Sequence, residues 1–304
     1  MNKITAKIIC DSINQNGNRL TTYELSYPRL IHSEFMTHRQ FSRNAASSRA
    51  IPFDKMLEQL DGVPSRFGAA QKGMQDNGEE HEIPVLCGHD ARETWELAKQ
   101  ESIKFSRLFK EAGYHKQIYN RLTEPYQMIK VVVSATEYDN FFWLRDDVMA
   151  DPTIAELARK MKEAYDDSIP QLLKAGEWHL PYVQSHYFED DGQRFIVEDS
   201  EGVGYYVTTE QAIKVSTARC AAVSYRSVDY GLEKCEHIYQ RLITDERVHA
   251  SALEHQCSPI PLGATLETDG VTAIHKYHGL MSGNMAGWLQ HRHFIKGNTK
   301  YEIK

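Results

Sequence analysis

The run Met128-Ile-Lys-Val-Val-Val133 packs three consecutive valines into a short apolar stretch. β-Branched side chains suit a pleated, buried surface, and the run is too short for a core helix, so it reads as a buried strand. A sheet must therefore be present. Residues 20–27 alternate, with Tyr23, Leu25 and Tyr27 on one face, and read as a half-buried strand. Pro28 stands where a helix can begin, with Leu30, Ile31 and Phe35 at helical spacing behind it. Asp90 and Glu93 form a capping box for a helix carrying Trp95, Ala98, Leu108, Phe109 and Ala112 and ended by Gly113. Asp151-Pro152 opens a helix with Ile154, Leu157, Ala158, Met161 and Tyr165 on its face. Phe195–Thr208 breaks at Ser200-Glu201-Gly202 as a hairpin does, and helices over about 210–223 and 232–243 follow. The expectation is one α+β domain over residues 1–304, with a Gly-rich, polar, mobile loop at 62–88.

Composition narrows the function classes. Of 304 residues 41% are hydrophobic and 25% charged, which excludes wholesale disorder, and the net charge of -7 opposes a general nucleic-acid coat. No apolar run approaches the ~18–20 residues that span a bilayer. The opening Met-Asn-Lys-Ile-Thr-Ala-Lys lacks the apolar core of a secretion signal. The five cysteines, Cys10, Cys87, Cys220, Cys235 and Cys257, are odd in number and contain no Cys-x-x-Cys pair. A cytoplasmic protein with thiols buried as small hydrophobes is expected.

Residues 37–49 are densely functionalised, with His38, Arg39, Ser42, Arg43, Asn44, Ser47, Ser48 and Arg49. Guanidinium groups grip phosphates through paired N–H donors, and small hydroxyl residues let backbone N–H groups approach the same oxygens. His38, beside Arg39, is expected neutral and a hydrogen-bond partner. The same composition also fits a solvated basic turn with capping serines.

The spacing His38-Arg39-x-x-Ser42-x-Asn44-x-x-Ser47-x-Arg49 resembles the signature of the flavin-dependent thymidylate synthases, the ThyX type. Arg121-Leu-Thr-Glu-Pro125 is similar to that family's Arg-x-x-Leu-Pro, and Asn140-Phe-Phe-Trp-Leu-Arg145 to its Asn-Phe-x-x-Leu-Arg. Ala218-Arg-Cys-Ala-Ala-Val-Ser224-Tyr225 resembles Ala-Ala-Arg-Val-Ser-Tyr, and His249-Ala-Ser251-Ala-Leu-Glu254-His255 resembles His-x-Ser-Pro-Phe-Glu-His. In the family these last two precede the arginine-serine motif. Here they follow it, an order that resembles a circular permutation, which a compact fold with neighbouring termini tolerates.

The resemblance implies a ThyX-like fold, an antiparallel or mixed sheet with packed helices and a permuted order of halves. It implies a homotetramer that binds FAD and a pyrimidine deoxynucleotide monophosphate. The reaction implied is reductive methylation of dUMP to dTMP, with methylenetetrahydrofolate and NADPH as co-substrates. Residue by residue, it implies FAD contacts for His38, Arg39, Asn44, Asn140, His249, Ser251 and Glu254. It gives Ser47, Ser48 and Arg49 the nucleotide phosphate, with Arg121 supporting them. Ser47 and Arg145 would be catalytic, Arg145 polarising the pyrimidine carbonyl.

Departures from the pattern carry information. Thr37 stands for an arginine, Glu34 for a glutamine, Ala45 for a glutamate and Ala50 for a tyrosine. An ionised Glu34 accepts hydrogen bonds and donates none, so beside the base it favours an exocyclic amine, making dCMP an alternative substrate. Alternatively Glu34 pairs with Arg39 or Arg49. The cluster Gly283-Asn284-Met-Ala-Gly287-Trp288-Leu-Gln290-His291-Arg292-His293 either returns Gln290 and Arg292 to the pocket or is a polar helix end with exposed histidines. Hydroxymethylation, or flavin and nucleotide binding without turnover, are further alternatives. Among 14 histidines, Cys87-Gly-His89-Asp90 and His275 with His278 complete no metal-ligand pattern, so no metal, nucleic acid or membrane is expected.

Overall fold

The computed structural model describes residues 4–188, 192–198, 202–223, 231–244 and 246–299. Ser200 and Glu201 of the expected hairpin break, and Ser224 and Tyr225 of the Ala218 motif, lie outside the described residues. The fold is α+β. Its centre is a mixed sheet of β1 (Thr5–Asn14), β2 (Arg19–Pro28), β3 (Ser42–Ala45), β4 (Met128–Ala135) and β5 (Gln171–Leu173) in the order β3-β4-β2-β1-β5. All pairings are antiparallel except β1 with β5. The β1–β2 connection turns at Gly17, φ +82°, while Asn14 Oδ1 accepts from the backbone N–H groups of Asn16 and Asn18.

The valine run lies inside this sheet and is buried on both faces. On one face, Tyr23, Leu25, Tyr27, Val131 and Val133 pack against Ile154, Leu157, Ala158 and Met161 of the helix Pro152–Asp167. That helix begins as expected: Asp151 accepts from the N–H groups of Thr153 and Ile154 at 2.8 and 3.1 Å, with Pro152 in the first turn. On the other face Val132 meets Cys220 and Val223 at the end of the helix Thr209–Ala222. Thr22 is also buried there, so β2 is covered on both sides along part of its length rather than half-buried.

Strands Gln184–Phe188, Gly192–Glu198 and Gly204–Val207 form a second, antiparallel sheet. Phe195 and Val197 of this sheet face Ala212, Val215 and Ala218 of the Thr209–Ala222 helix and Cys235 of the next helix, Leu232–Leu242. Short strands between Cys257 and Gln290 close the lower end around Trp288.

Several expectations are corrected. The capping box at Asp90 and the stop at Gly113 (φ +80°) are present, but the helix Ala91–Glu111 does not bury the apolar face read from its periodicity. Leu108 is 52% exposed, and Leu97 and Phe105 are also open. Residues 37–49 contain a strand, β3. The segment from Gly283 is strand and 3₁₀ turn, not a helix end. Cys220, Cys235 and Cys257 are buried, whereas Cys87 is exposed. Residues 62–88 form no helix or strand, only turns and an isolated bridge between Leu86 and His89. Among the described residues no helix is long and apolar enough to cross a membrane.

Candidate functional site

Three aromatic side chains set the geometry. Pro28 ends β2, and two short helical turns, Arg29–Ile31 and His32–Phe35, carry the chain to the arginine-serine segment. Phe35 is fully buried, with its ring centre 5.6 Å from those of Phe41 and Phe141. Arg43 Nη1 donates to the carbonyls of Phe35 and His38 at 3.1 and 3.0 Å, closing the 35–43 loop. With those apolar and backbone groups tied inward, Glu34 and His38 remain at the rim.

Across the rim stands the helix Asp139–Arg145. It buries Phe141 and Phe142, which brings Arg145, in the last turn, over the loop. Arg145 Nη1 makes an ion pair with Glu34, and its Nε donates to His38 Nε2 at 3.0 Å. Glu34 thus pairs with Arg145, and with neither Arg39 nor Arg49. The His38 bond requires an unprotonated Nε2 and hence the Nδ1–H tautomer, assigned from this geometry. Burial, then the charges of Arg145 and Arg43, hold the His38 pKa down to about 4, so the ring is neutral at pH 7. Arg145 and Arg43, rather than Arg39, are the cationic neighbours responsible.

These residues edge a recess of about 250 Å³ lined by Arg39, Gln40, Asn140, Phe141 and Leu144, with Glu137 at its margin. Arg39 and Asn140 are exposed there, and their side chains have no hydrogen bond or ion pair among the described residues. Sites that enclose an organic ligand usually measure about 300–1,000 Å³. The recess is therefore large enough for a ring and too small for a whole dinucleotide with a nucleotide beside it.

A second group lies against β3. Ser42 Oγ donates to Asn284 Oδ1 at 3.1 Å, and Gln290 Nε2 donates to the same oxygen at 3.0 Å and to the Glu254 carbonyl at 3.3 Å. Arg292 forms an ion pair with Glu254. Of the two readings of the Gly283 cluster, Gln290 is thus buried at β3 instead of standing at a polar helix end. Asn284 Nδ2 donates to the Gln40 carbonyl at 2.7 Å, linking this group to the recess. Asn44 Nδ2 reaches the Cys220 carbonyl at 3.3 Å, tying β3 to the Ala218 segment. Ser251 and His249 are exposed on the same turn as Glu254.

The third group follows β3. Ser48 is buried and donates to Glu124 Oε1 at 2.5 Å, while Arg29 pairs with Glu124 at 3.3 Å. Asn120 Nδ2 donates to the carbonyls of Ser48 and Ile51 at 2.7 and 3.0 Å. Ser48 therefore fixes the turn, leaving Ser47 half-buried and Arg49 exposed. Arg121, next to Asn120, is exposed as well. Arg43 and Asn284 lie in segments that the sequence singles out but carry no assigned role there, and Glu124 carries none either. Glu124 had a signal: it is a carboxylate where the resembled pattern has leucine. Among the described residues no three His, Cys, Asp or Glu side chains are grouped to hold a metal ion.

No protein-family model matches the chain. No curated protein matches it either. Two solved structures of the flavin-dependent thymidylate synthase ThyX from Helicobacter pylori, each with FAD and dUMP, are similar to it at a TM-score of 0.33. Their sequence identities are 18% and 19%, and each match covers 48% of this chain and 67% of that chain.

Proposed function

We propose that the protein is a flavin-dependent thymidylate synthase that methylates dUMP to dTMP, with FAD as cofactor and methylenetetrahydrofolate and NADPH as co-substrates. The observation that carries this reading is the clamped Arg145. Its guanidinium is held on one side by Glu34 and on another by His38, at the edge of a recess sized for a ring. A cation fixed before the reaction stabilises charge developing on a pyrimidine carbonyl without reorganising. Neutral His38 serves this by accepting from Arg145 without adding a competing positive charge.

The donors present suit a flavin dinucleotide, which is rich in acceptors. Arg39 and Asn140 offer uncommitted polar groups at the recess, and Arg292 Nε is buried without a partner among the described residues. His38, Arg39, Asn44, Asn140, His249, Ser251 and Glu254 are the residues proposed to hold FAD, which supplies hydride chemistry when bound. Ser47, Ser48, Arg49 and Arg121 are proposed for the nucleotide phosphate, Ser48 through the turn it fixes. The contact of Asn44 with the Cys220 carbonyl and the packing of Glu254 near β3 support the permuted-order reading, because segments distant in sequence meet at one strand.

The small recess, the open apolar side chains beside it and those on the Ala91–Glu111 helix favour assembly, as a tetramer, over a working monomer. Trp143 is 77% exposed beside Leu144, and Leu97, Phe105 and Leu108 are open on the Ala91–Glu111 helix. Light scattering at micromolar concentration is expected to return four chain masses, and Trp143→Glu or Phe105→Glu to lower the mass. A monomeric wild type would remove the assembly from the reading.

Glu34 favours a second reading, a cytosine nucleotide as substrate. Its carboxylate, next to Arg145, can accept from an exocyclic amine, though it can equally accept from the N3–H of uracil. Titration of the FAD-loaded protein with dUMP and dCMP decides between them. The expected result is a flavin absorption change saturating with dUMP at least tenfold more tightly than with dCMP. The reverse order would assign the cytosine nucleotide, and Glu34→Gln is then expected to weaken dCMP more than dUMP. No flavin bound under any condition would end the synthase reading.

A further inference from the structure

The segment from residue 272 to 293 touches the site at four points, which lie on three different stretches of chain. His278 Nε2 lies 2.6 Å from Glu137 Oε1 at the margin of the recess. Asn284 reaches the Gln40 carbonyl, Gln290 hydrogen-bonds near Ser42, and Arg292 pairs with Glu254. A hairpin fastened only for stability would leave its polar atoms satisfied. Here Arg292 Nε and His293 Nε2 are buried and have no hydrogen-bond partner among the described residues. Buried donors and acceptors are nearly always paired in a folded protein, and these two orphaned nitrogens stand on adjacent residues of a segment tied to the recess, where another molecule's polar atoms can complete them.

The backbone is shaped to keep that place. Gly283 has φ +58°. A Cβ there would collide with Gln290 Oε1 and stand 3.1 Å from His293 Nε2. Only glycine lets the strand turn so tightly against both side chains. Glu254 neutralises one edge of the Arg292 guanidinium and leaves Nε to point elsewhere. A ligand meeting this cluster must bring acceptors for an Arg N–H and a polar atom for a neutral imidazole. Burial and the charge of Arg292 lower the pKa of His293, keeping that ring uncharged.

We propose that Asn284, Gln290, Arg292 and His293 form a ligand-binding wall continuous with the recess, and that this wall takes part of the flavin dinucleotide. The assignment rests on the flavin reading above and extends it to a segment outside every motif that suggested it. Arg292 and His293 are the contacting residues. Asn284 and Gln290 position them by holding the turn to Gln40, Ser42 and Glu254.

The test is FAD binding by the full chain, followed by quenching of flavin fluorescence, with thermal unfolding measured alongside. Arg292→Gln shortens the side chain and keeps an N–H donor but removes the guanidinium charge, and it is expected to weaken FAD at least tenfold with little change in Tm. His293→Ala is expected to weaken FAD by several-fold and to shift the visible band of the bound flavin, which a purely structural role would not do. Arg92→Gln, at a distant surface, is the control expected to bind as wild type. Should Arg292→Gln unfold, His293→Ala and Asn284→Ala decide the matter by the same two readouts. Wild-type binding and an unshifted band in the folded variants would overturn the wall while leaving the flavin reading intact. A wild-type chain that binds no FAD would overturn both.

Discussion

Arg145→Ala is expected to slow the proposed thymidylate formation by about 10²–10³-fold with nucleotide and flavin saturating, the usual penalty for removing one fixed charge-stabilising donor. The structural reason is the pair of restraints on the guanidinium. Glu34 and His38 hold it from two directions, and both approach from the chain itself, so the orientation exists before any ligand arrives. The fold has little stake in the residue. The Glu34–Arg145 pair is partly open to solvent, side chains 33% and 22% exposed, and pairs of that kind are worth at most about 1 kcal/mol. A Tm within a few degrees of wild type is therefore expected. Arg145→Lys retains the charge but not the fork that meets Glu34 and His38 together, so its rate should fall between the two. Single-turnover oxidation of reduced flavin without oxygen, in the presence of dUMP and methylenetetrahydrofolate, measures the effect. An alanine variant as fast as wild type would take Arg145 out of the reaction.

The parts of this arrangement that were legible in the sequence are those written in local chemistry. The Asp90 box, the Asp151-Pro152 start and the valine strand each depend on residues adjacent in the chain, and each forms where its pattern lies. Strand β3 was hidden because Ser42-Arg-Asn-Ala45 has no apolar alternation; it is a strand because β4 offers it an edge, not because of its own propensity. The Ala91–Glu111 helix misled in the opposite sense, since periodicity reports an apolar face without saying whether anything within the chain covers it. The partner of Glu34 was equally beyond local reading. Arg39 and Arg49 are near in sequence, yet Arg145 wins because Phe35, Phe41 and Phe141 pack together and carry the two charged groups to one rim. Long-range aromatic packing decided the site, and no spacing rule encodes it.

Acid is expected to unfold the protein well above the pH at which most carboxylates protonate. Behind the central sheet runs a buried chain of hydrogen bonds: Ser12 to His179 Nδ1 at 2.9 Å, His179 Nε2 to Thr22 at 2.8 Å, Thr22 to Ser134 at 2.6 Å, and Ser134 to His255 Nδ1 at 2.8 Å. Both histidines are fully buried. Burial lowers each pKa to about 3, opposed at His179 by the charge of Asp11 and reinforced at His255 by His179 itself. In the unfolded chain both titrate near 6.5. Below that pH the unfolded state takes up two protons that the native state refuses, so stability is full above about pH 6.5 and drains as the pH falls toward 3. Each histidine contributes up to about 1.4 kcal/mol per pH unit, so the pair removes roughly 5 kcal/mol by pH 4.5, comparable to a whole domain's margin. His32, His38 and His291, each lowered to about 4 mainly by burial, pull in the same direction. Urea unfolding followed by circular dichroism at pH 7, 6, 5 and 4.5 should show the midpoint falling steeply. His255→Gln should start from lower stability but lose it with a slope shallower by about one proton. A midpoint constant from pH 6.5 to 4.5 would mean that these imidazoles accept protons without unfolding, and the buried network would then have to open to water in the native state.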